Sequence, residues 1–425
     1  MGNLVHYGLA DVAQRTSTSA SKVEVTQYTV TESTLTTAGF KAGDEVLVMV
    51  RLAVNGSNAN AVFGCSVGRG STYAGRTDFT DSNCAIETQS TTAARGHHYA
   101  WFKKYTLVAG ENWYTSIISD GAQTARLGDF SIIFLHLGNL NPDDWRYAEA
   151  THSGNAPTAY DTSGATVTLP LPYPSSDWLI LSNVHWLIDD VTSDHYHALS
   201  ENGADVCEMH WEGEDIAEER STLVSAYVAG VNTARVERTR YRTDTAASHD
   251  VDRTAVFALR LDAFVDRSGV QSATSITHTV IDTYQECAGV PAHPITTTGD
   301  HMVFALSLPG YNEATKNQRM KIQKSNVDWP ATGFGDLHGA MPHGAADAIP
   351  NVLFAIASVT AGTFDLDLDI TEDVDVTPNY SAAYHTLVAI SMALAPTPPP
   401  LRQTQSVLDG VTGGLSVGGN LLGGF

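Results

Sequence analysis

The sequence predicts an all-β protein of three tandem antiparallel β-sandwich, jelly-roll-like domains followed by an extended Gly-rich C-terminal tail. Three observations predict it. An apolar, β-branched opening strand occurs three times behind a turn-forming pair: Gly43-Asp44 before EVLVMVRLAV, Ser176-Asp177 before WLILSNVHWLI, and Gly299-Asp300 before HMVFALSL. Roughly ninety residues after each opening stands a closing strand: DFSIIFLHL from Asp129, RTAVFALRLDAF from Arg253 and YHTLVAISMAL from Tyr384. The period is about 125 residues, the size of one sandwich. Helix signals are confined to Leu9 to Gln14 and Asn312 to Gln318, each enough for a turn or two.

The opening and closing strands are the most continuously apolar segments of each repeat, which places them side by side at its centre, buried on both faces. Between them run alternating segments such as YAWFKKYTLV, STLVSAYVA and ARVERTRYR, whose period of two buries one face and wets the other. In TFDLDLDI, Phe364, Leu366 and Leu368 point inward and Asp365, Asp367 and Asp369 outward, an acidic ladder suited to guarding a sheet edge. Proline and small polar residues mark linkers at about 139 to 164 and 266 to 275. The expected organisation is an N-terminal arm (1–22), sandwiches at 23–140, 141–265 and 266–395, and a Pro/Gly-rich arm (396–425). PTPPP at Pro396 to Pro400 is a stiff spacer, and the apolar residues beyond it are separated by glycine, a composition that makes no core alone.

A formal charge of −23, from 47 acidic and 24 basic residues, argues against nucleic acid as a partner, since that grip neutralises phosphates with Lys and Arg. The N-terminus lacks the basic start and apolar run of a signal peptide, and no stretch reaches the ~18 apolar residues of a membrane span. Neither signal-directed export nor membrane insertion is expected. Cys65, Cys84, Cys207 and Cys287 form no CxxC pair; Cys65 and Cys84 are close enough in sequence to pair within one sandwich.

His185, His195, His197 and His210 gather in the second repeat near Asp189, Asp190 and Asp194, and the spacing His195-x-His197 puts two imidazoles on one strand face. A divalent-metal site is one reading; hydrated surface or loop histidines are the other, favoured by the absence of a tighter motif such as HExxH. Asp365 to Asp375 offers oxygen ligands for calcium but no EF-hand loop, and EGEDIAEER from Glu212 reads as a solvated loop. Trp178 and Trp186 belong to a buried strand, which leaves Trp145 and Trp329 as candidates for stacking on sugar. The GxSxG elbow, the phosphate-binding loop and a dinucleotide fingerprint are all missing, so no catalytic, cofactor-binding or metal residue is assigned.

The second repeat, with SSDWLILSNVHWLIDD opening it and VERTRYRTD and DRTAVFALRLDAF closing it, resembles the β-sandwich units of structural proteins from tailed phages and related viruses. The first and third keep only the strand rhythm and lack equivalents of Arg260 and Asp262. The resemblance implies a non-enzymatic virion protein: a capsid decoration or spike, fibre or tail component. It further implies many copies, with a trimer favoured, other virion proteins as partners, and no cofactor. An elongated body docked by the N-terminal arm or the tail is the corresponding expectation. The alternative is an adhesin for a host receptor or surface glycan, using hairpins such as Asp189 to Asp215. A surface-polysaccharide hydrolase is the third reading.

Overall fold

The computed structural model describes residues 2–11, 13–56, 61–88, 97–119, 121, 123–170, 175–188, 193–212, 218–244, 249–272, 276–278, 285–289, 293–295, 298–310, 318–324, 327–328, 337–338, 351–364, 366–372 and 380–396. The first repeat contains β1 (His6–Asp11), β2 (Arg15–Ser17), β3 (Val23–Glu24), β4 (Glu45–Gly56), β5 (Ala61–Gly70), β6 (Thr77–Asp78), β7 (Cys84–Thr88), β8 (His97–Thr106), β9 (Asn112–Ser119) and β10 (Ala125–His136). The second contains β11 (Trp145–Thr151), β12 (Thr166–Leu169), β13 (Ser176–Ile188), β14 (Asp194–Glu201), β15 (Ala204–Glu212), β16 (Glu218–Val231), β17 (Arg235–Thr243) and β18 (His249–Arg260). The third contains β19 (Arg267–Ser272), β20 (Ile276–His278), β21 (Gln285–Gly289), β22 (His293–Ile295), β23 (Gly299–Gly310), β24 (Gln318–Lys324), β25 (Val327–Asp328), β26 (Leu337–His338), β27 (Asn351–Val359), β28 (Gly362–Phe364), β29 (Leu366–Glu372) and β30 (Tyr380–Ser391).

One strand order recurs in all three repeats. The first sheets run β1-β10-β4-β8, β11-β18-β13-β16 and β19-β30-β23-β27; the second sheets run β3-β9-β5-β7, β12-β17-β14-β15 and β21-β29-β24-β25. Leaving aside the short accessory strands, position 8 of each roll pairs between positions 1 and 3, and position 7 between positions 2 and 4. This is the order of a jelly roll. Opening and closing strands are therefore antiparallel neighbours at the middle of every first sheet, as their composition required. Each closing strand also bulges near its start, at Asp129, Asp252 and Tyr384. At two of these bulges the backbone turns left-handed at a residue other than glycine, with φ of 49° at Asp129 and 62° at Tyr384.

The double burial of the central strands has a specific cause. In β4, Val46, Val48, Val50, Leu52 and Val54 face the second sheet of their own roll, packing with Phe63, Trp101, Trp113 and Ile117. The alternate residues Leu47 and Met49, with Ile133 and Leu135 of β10, join a core that also contains Leu179, Leu181 and Leu259 from the second roll and Met302, Phe304, Leu306 and Ile390 from the third. The first sheets of all three rolls thus contribute to one shared core. The elongated body expected from the sequence is replaced by three rolls packed on one another.

Backbone and side-chain ties seal the junctions. Ala85 of β7 pairs with Glu219 of β16, which splices the second sheet of the first roll onto the first sheet of the second roll. Beside that joint the buried Arg253 forms an ion pair with Asp81, approaches Glu149 at 3.3 Å and donates to Tyr147 Oη at 2.9 Å and to the Phe102 carbonyl at 3.2 Å; Lys103 reaches Asp81 at 3.1 Å. Gly269 of β19 packs so closely on Tyr227 of β16 that a Cβ would stand 2.5 Å from the ring.

Several local expectations are corrected. The segment 1–22, read as an arm, supplies β1 and β2 to the first sheet, paired with β10. Residues 2–4 run beside 392–394, with Leu4 N donating to the Met392 carbonyl at 2.8 Å and Leu394 N to the Gly2 carbonyl at 2.9 Å, so this segment ties the first roll to the third. Leu9 is in a strand, 312–317 lie outside the described residues, and the α-helix among the described residues is at Glu32–Thr37, where the Thr31 hydroxyl caps the Thr34 amide at 3.1 Å. The two linker regions contain β11 and β19, the first strand of each following roll. The acidic strand β29 is interior, paired with both β21 and β24, so it guards no edge; Leu366 and Leu368 are buried as expected. Phe364 takes part in β28, while Asp365, 373–379 and the tail from 397 lie outside the described residues.

Removing Arg253 leaves Asp81 buried without its main counter-charge. Arg253→Ala is expected to cost about 3–5 kcal/mol in urea unfolding. A loss below about 1 kcal/mol would show that the junction does not depend on this network.

Candidate functional site

The second sheet of the second roll brings together most of the residues singled out by sequence. In β17 the alternation places Glu237, Thr239, Tyr241 and Thr243 inward and leaves Arg238, Arg240 and Arg242 on the outer face. In β14, His195 and His197 point inward and Tyr196 outward, as their spacing predicted.

The inner histidines belong to the core and not to a hydrated surface. His197 lies between Ser182 Oγ, 2.8 Å from Nε2, and Thr222 Oγ1, 2.9 Å from Nδ1. Thr239 gives its hydroxyl proton to the Ala255 carbonyl at 2.9 Å and accepts from Ser182 at 2.8 Å. Ser182 must therefore accept from His197, which fixes a neutral ring protonated on Nε2. Burial holds its pKa down at about 3, and with both nitrogens engaged the ring has no lone pair to offer a metal. His195 packs edge-on to Trp186, ring centroids 5.3 Å apart. His185 lies across the first sheet from this pair, with Nδ1 2.7 Å from Asp252. His210 is on the outer face, stacked on Tyr196 at 5.3 Å. The four histidines occupy separate environments, and among the described residues no group of three or more His, Cys, Asp or Glu is arranged to hold a metal ion. Asp189 and Asp190 lie outside the described residues.

Glu237 was missed by sequence reasoning. It is fully buried beside Arg235, whose Nε stands 3.3 Å from Oε1. Burial pushes its pKa up to about 7 against the opposing pull of Arg235.

The outer face is half-buried and built from arginine and aromatic rings. The Arg242 guanidinium lies 3.4 Å over the centroid of Tyr196 and 5.1 Å from that of Tyr160, and Arg240 lies 4.5 Å over Tyr160. Arg240 also pairs with Asp205 at 2.8 Å, whereas Arg238 donates from Nε to Thr166 Oγ1 at 3.0 Å. The Tyr160 hydroxyl bonds to Glu208 and that of Tyr196 to Asp194 at 3.2 Å. Burial, followed by these carboxylates, raises both phenol pKa values, so the hydroxyls remain donors. Among the described residues neither Arg238 nor Arg242 forms an ion pair.

Other features are accounted for structurally. A shallow cleft in the first roll is lined by Leu35, Phe40, Leu107, Val108 and Trp113. Of its two carboxylates, Glu32 accepts from the Gly110 amide at 2.8 Å, and Glu111 is held by Arg69 at 2.7 Å and Tyr105 at 2.8 Å. Trp178 and Trp186 are core residues, Trp145 packs on the shared core, and Trp329 lies outside the described residues. Cys65 and Cys84 are cross-strand partners carrying buried, unoxidised thiols. Of EGEDIAEER, read as a loop, Glu212 closes β15 and Glu218 to Arg220 open β16, while 213–217 lie outside the described residues.

No family model and no curated protein matches the sequence. Among solved structures, PNGF-II in a C2 crystal form has 7% identity over 83% of this chain and 99% of that one, with a TM-score of 0.30. The triple jelly-roll protein of an archaeal virus has 11% identity over 82% and 79%, with a TM-score of 0.17. The CBM22-1–CBM22-2 tandem domain of Paenibacillus barcinonensis Xyn10C has 10% identity over 60% and 96%, with a TM-score of 0.19. The class established for this chain is that of β-sandwich, jelly-roll proteins, on its own strand order.

The raised Glu237 pKa makes stability depend on pH with a definite sign. The native state keeps this proton up to about pH 7 whereas an ordinary glutamate releases it near 4.5, so its contribution is present below 4.5 and lost as pH rises through 7. Glu237→Gln is therefore expected to leave stability nearly unchanged at pH 4 and to raise it by up to about 3 kcal/mol above pH 7. Urea midpoints of both proteins across pH 4 to 8 measure this; parallel curves would contradict it.

Proposed function

We propose that the protein is a non-enzymatic structural component of a phage-like virus particle, present in many copies as a capsid decoration or spike, fibre or tail component. The observation that carries this reading is the shared core. One chain builds three jelly rolls whose equivalent sheets are buried against one another. Such a body gives a rigid block with three second sheets available for contacts. Its acidic balance, 47 residues against 24, keeps free copies apart before assembly.

Three rolls in one chain also bear on symmetry. The threefold set that the phage resemblance implies from three chains is supplied here by one, so we propose that the monomer is the building block and that copies associate on the particle. The N-terminal segment is committed to the third roll, which leaves the segment after residue 396 as the docking element. Its apolar residues, separated by glycine, gain stability by burial on a neighbour at about 25 cal/mol per Å² before ordering costs.

A chain ending at Ala395 is expected to melt within a few degrees of the full-length protein and to be absent from purified particles of a virus carrying the truncated gene. Normal incorporation of the truncated chain, read by mass spectrometry of the particles, would remove tail docking; absence of the full-length chain from particles would remove the virion reading itself.

A further inference from the structure

We infer that the proline-rich segment at 396–402 docks in the cleft of the first roll of its own chain, between the helix at Glu32–Thr37 and residues 107–111. The inference goes beyond tail docking on a neighbour, because it fixes where the chain after residue 402 leaves the body.

Leu35, Phe40, Leu107 and Trp113 form the buried floor of this cleft. Its lip is Val108, which at 51% is the most exposed large hydrophobic side chain among the described residues. An apolar lip above an aromatic floor suits a polyproline segment, whose rings are already extended and lose little conformational freedom on binding. The rim adds a charge requirement. Glu111 is paired with Arg69 at 2.7 Å, whereas Glu32 accepts from the Gly110 amide at 2.8 Å and forms no ion pair among the described residues. Lys41, the cation that lines the cleft, follows the opposite end of the helix from Glu32. The matching occupant is apolar along its length and carries one cation at its Glu32 end.

The sequence that follows Pro396 has this composition: Thr397-Pro398-Pro399-Pro400-Leu401-Arg402. Its starting position agrees. Leu394 N donates to the Gly2 carbonyl and Leu4 N to the Met392 carbonyl, so the described chain ends beside residues 2–4. Val5 then packs on Gly39, where a Cβ would stand 3.4 Å from the valine methyl, and Gly39 adjoins Phe40 of the cleft floor. Three strand steps from Gly2 to Val5 cover ~10 Å. Six residues of polyproline helix span ~19 Å, which brings residues 397–402 within reach of the cleft. So short a tether holds the segment at an effective concentration on the order of millimolar, which favours its own cleft over that of a neighbour. Leu401 then covers Val108, and the Arg402 guanidinium donates to Glu32.

Disulfide trapping in the full-length chain tests this. In Val108→Cys/Leu401→Cys, oxidised glutathione is expected to join the two introduced thiols within one monomer, read by intact mass and peptide mapping. Linkage is expected to be about tenfold faster than in Val236→Cys/Leu401→Cys, whose first thiol is exposed on the outer face of the second roll. On the Val108→Cys/Leu401→Cys background, Glu32→Arg is expected to slow trapping about threefold. Adding Arg402→Glu to Glu32→Arg is expected to restore the rate, a recovery that a misfolded cleft cannot give. Absence of the link, equal rates at Val108 and Val236, or trapping unmoved by Glu32→Arg would each overturn the inference. Disulfide-linked multimers in place of the monomer link would overturn it too, by moving the segment to a second copy. Trapping intact in a protein absent from particles would instead refute the virion reading and leave this contact standing.

Discussion

The architecture depends on one constraint: each first sheet is apolar on both faces. Val46, Val48 and Val50 are covered by the partner sheet of their own roll, but that sandwich leaves Leu47, Met49, Ile133 and Leu135 on the other side. Exposing them would cost about 25 cal/mol per Å². The third roll repeats the arrangement, with Val303, Ala305 and Leu387 inside and Met302, Phe304 and Val388 outside. A single jelly roll of this composition has no use for its second apolar face. Three of them satisfy one another by meeting there, which is why repeats that look independent in sequence do not behave as separate beads.

Meeting in this way creates buried polar groups at the seams, and the chain resolves them with charge pairs. Arg253 points into the junction because it sits on the outward face of β18, opposite His185. Burial alone would raise the pKa of Asp81, but Arg253 and Lys103 outweigh it and hold the carboxyl below the ordinary range. At Arg260, 2.8 Å from Asp144, the ion pair is also buried, but there burial outweighs the arginine and leaves the carboxyl above its ordinary range. The Glu219–Ala85 pairing of β16 with β7 also covers two sheet edges at that point.

What the sequence made legible follows from the strength of the period. The opening and closing strands are long, apolar and β-branched, and both their existence and their adjacency could be read without a structure. The edge strands could not: β1 (HYGLAD), β2 (RTS) and β19 (RSGVQS) are short and polar because one side of them faces little or no core, so they resemble arm or linker. The helix at Glu32–Thr37 buries only Leu35 and so lacks a periodic stripe; its signal was the Thr31 cap. The alternation of His195 and His197 correctly gave a shared face, but not that the face was interior. That depended on Ser182 and Thr222, hydroxyls on two other strands that bond the His197 ring, and on Thr239 of a third, which takes the Ser182 proton. Glu237 was invisible for a related reason, since its charged partner Arg235 is in its own strand but its burial comes from packing across strands.

Joining the rolls covalently also changes what each can become. In a trimer of identical chains, any substitution on a second sheet appears three times and around one axis. Here the position-7 strands have diverged: β9 carries NWYTSIIS in a sheet spliced to the second roll, β17 presents alternate arginines, and β29 alternates aspartate with buried leucine. The central strands of the first sheets keep apolar residues on both faces to serve the common core, with Arg253 and His185 as polar exceptions at the seam. Constraint on one sheet and freedom on the other is the expected outcome when three rolls share a core but face different neighbours.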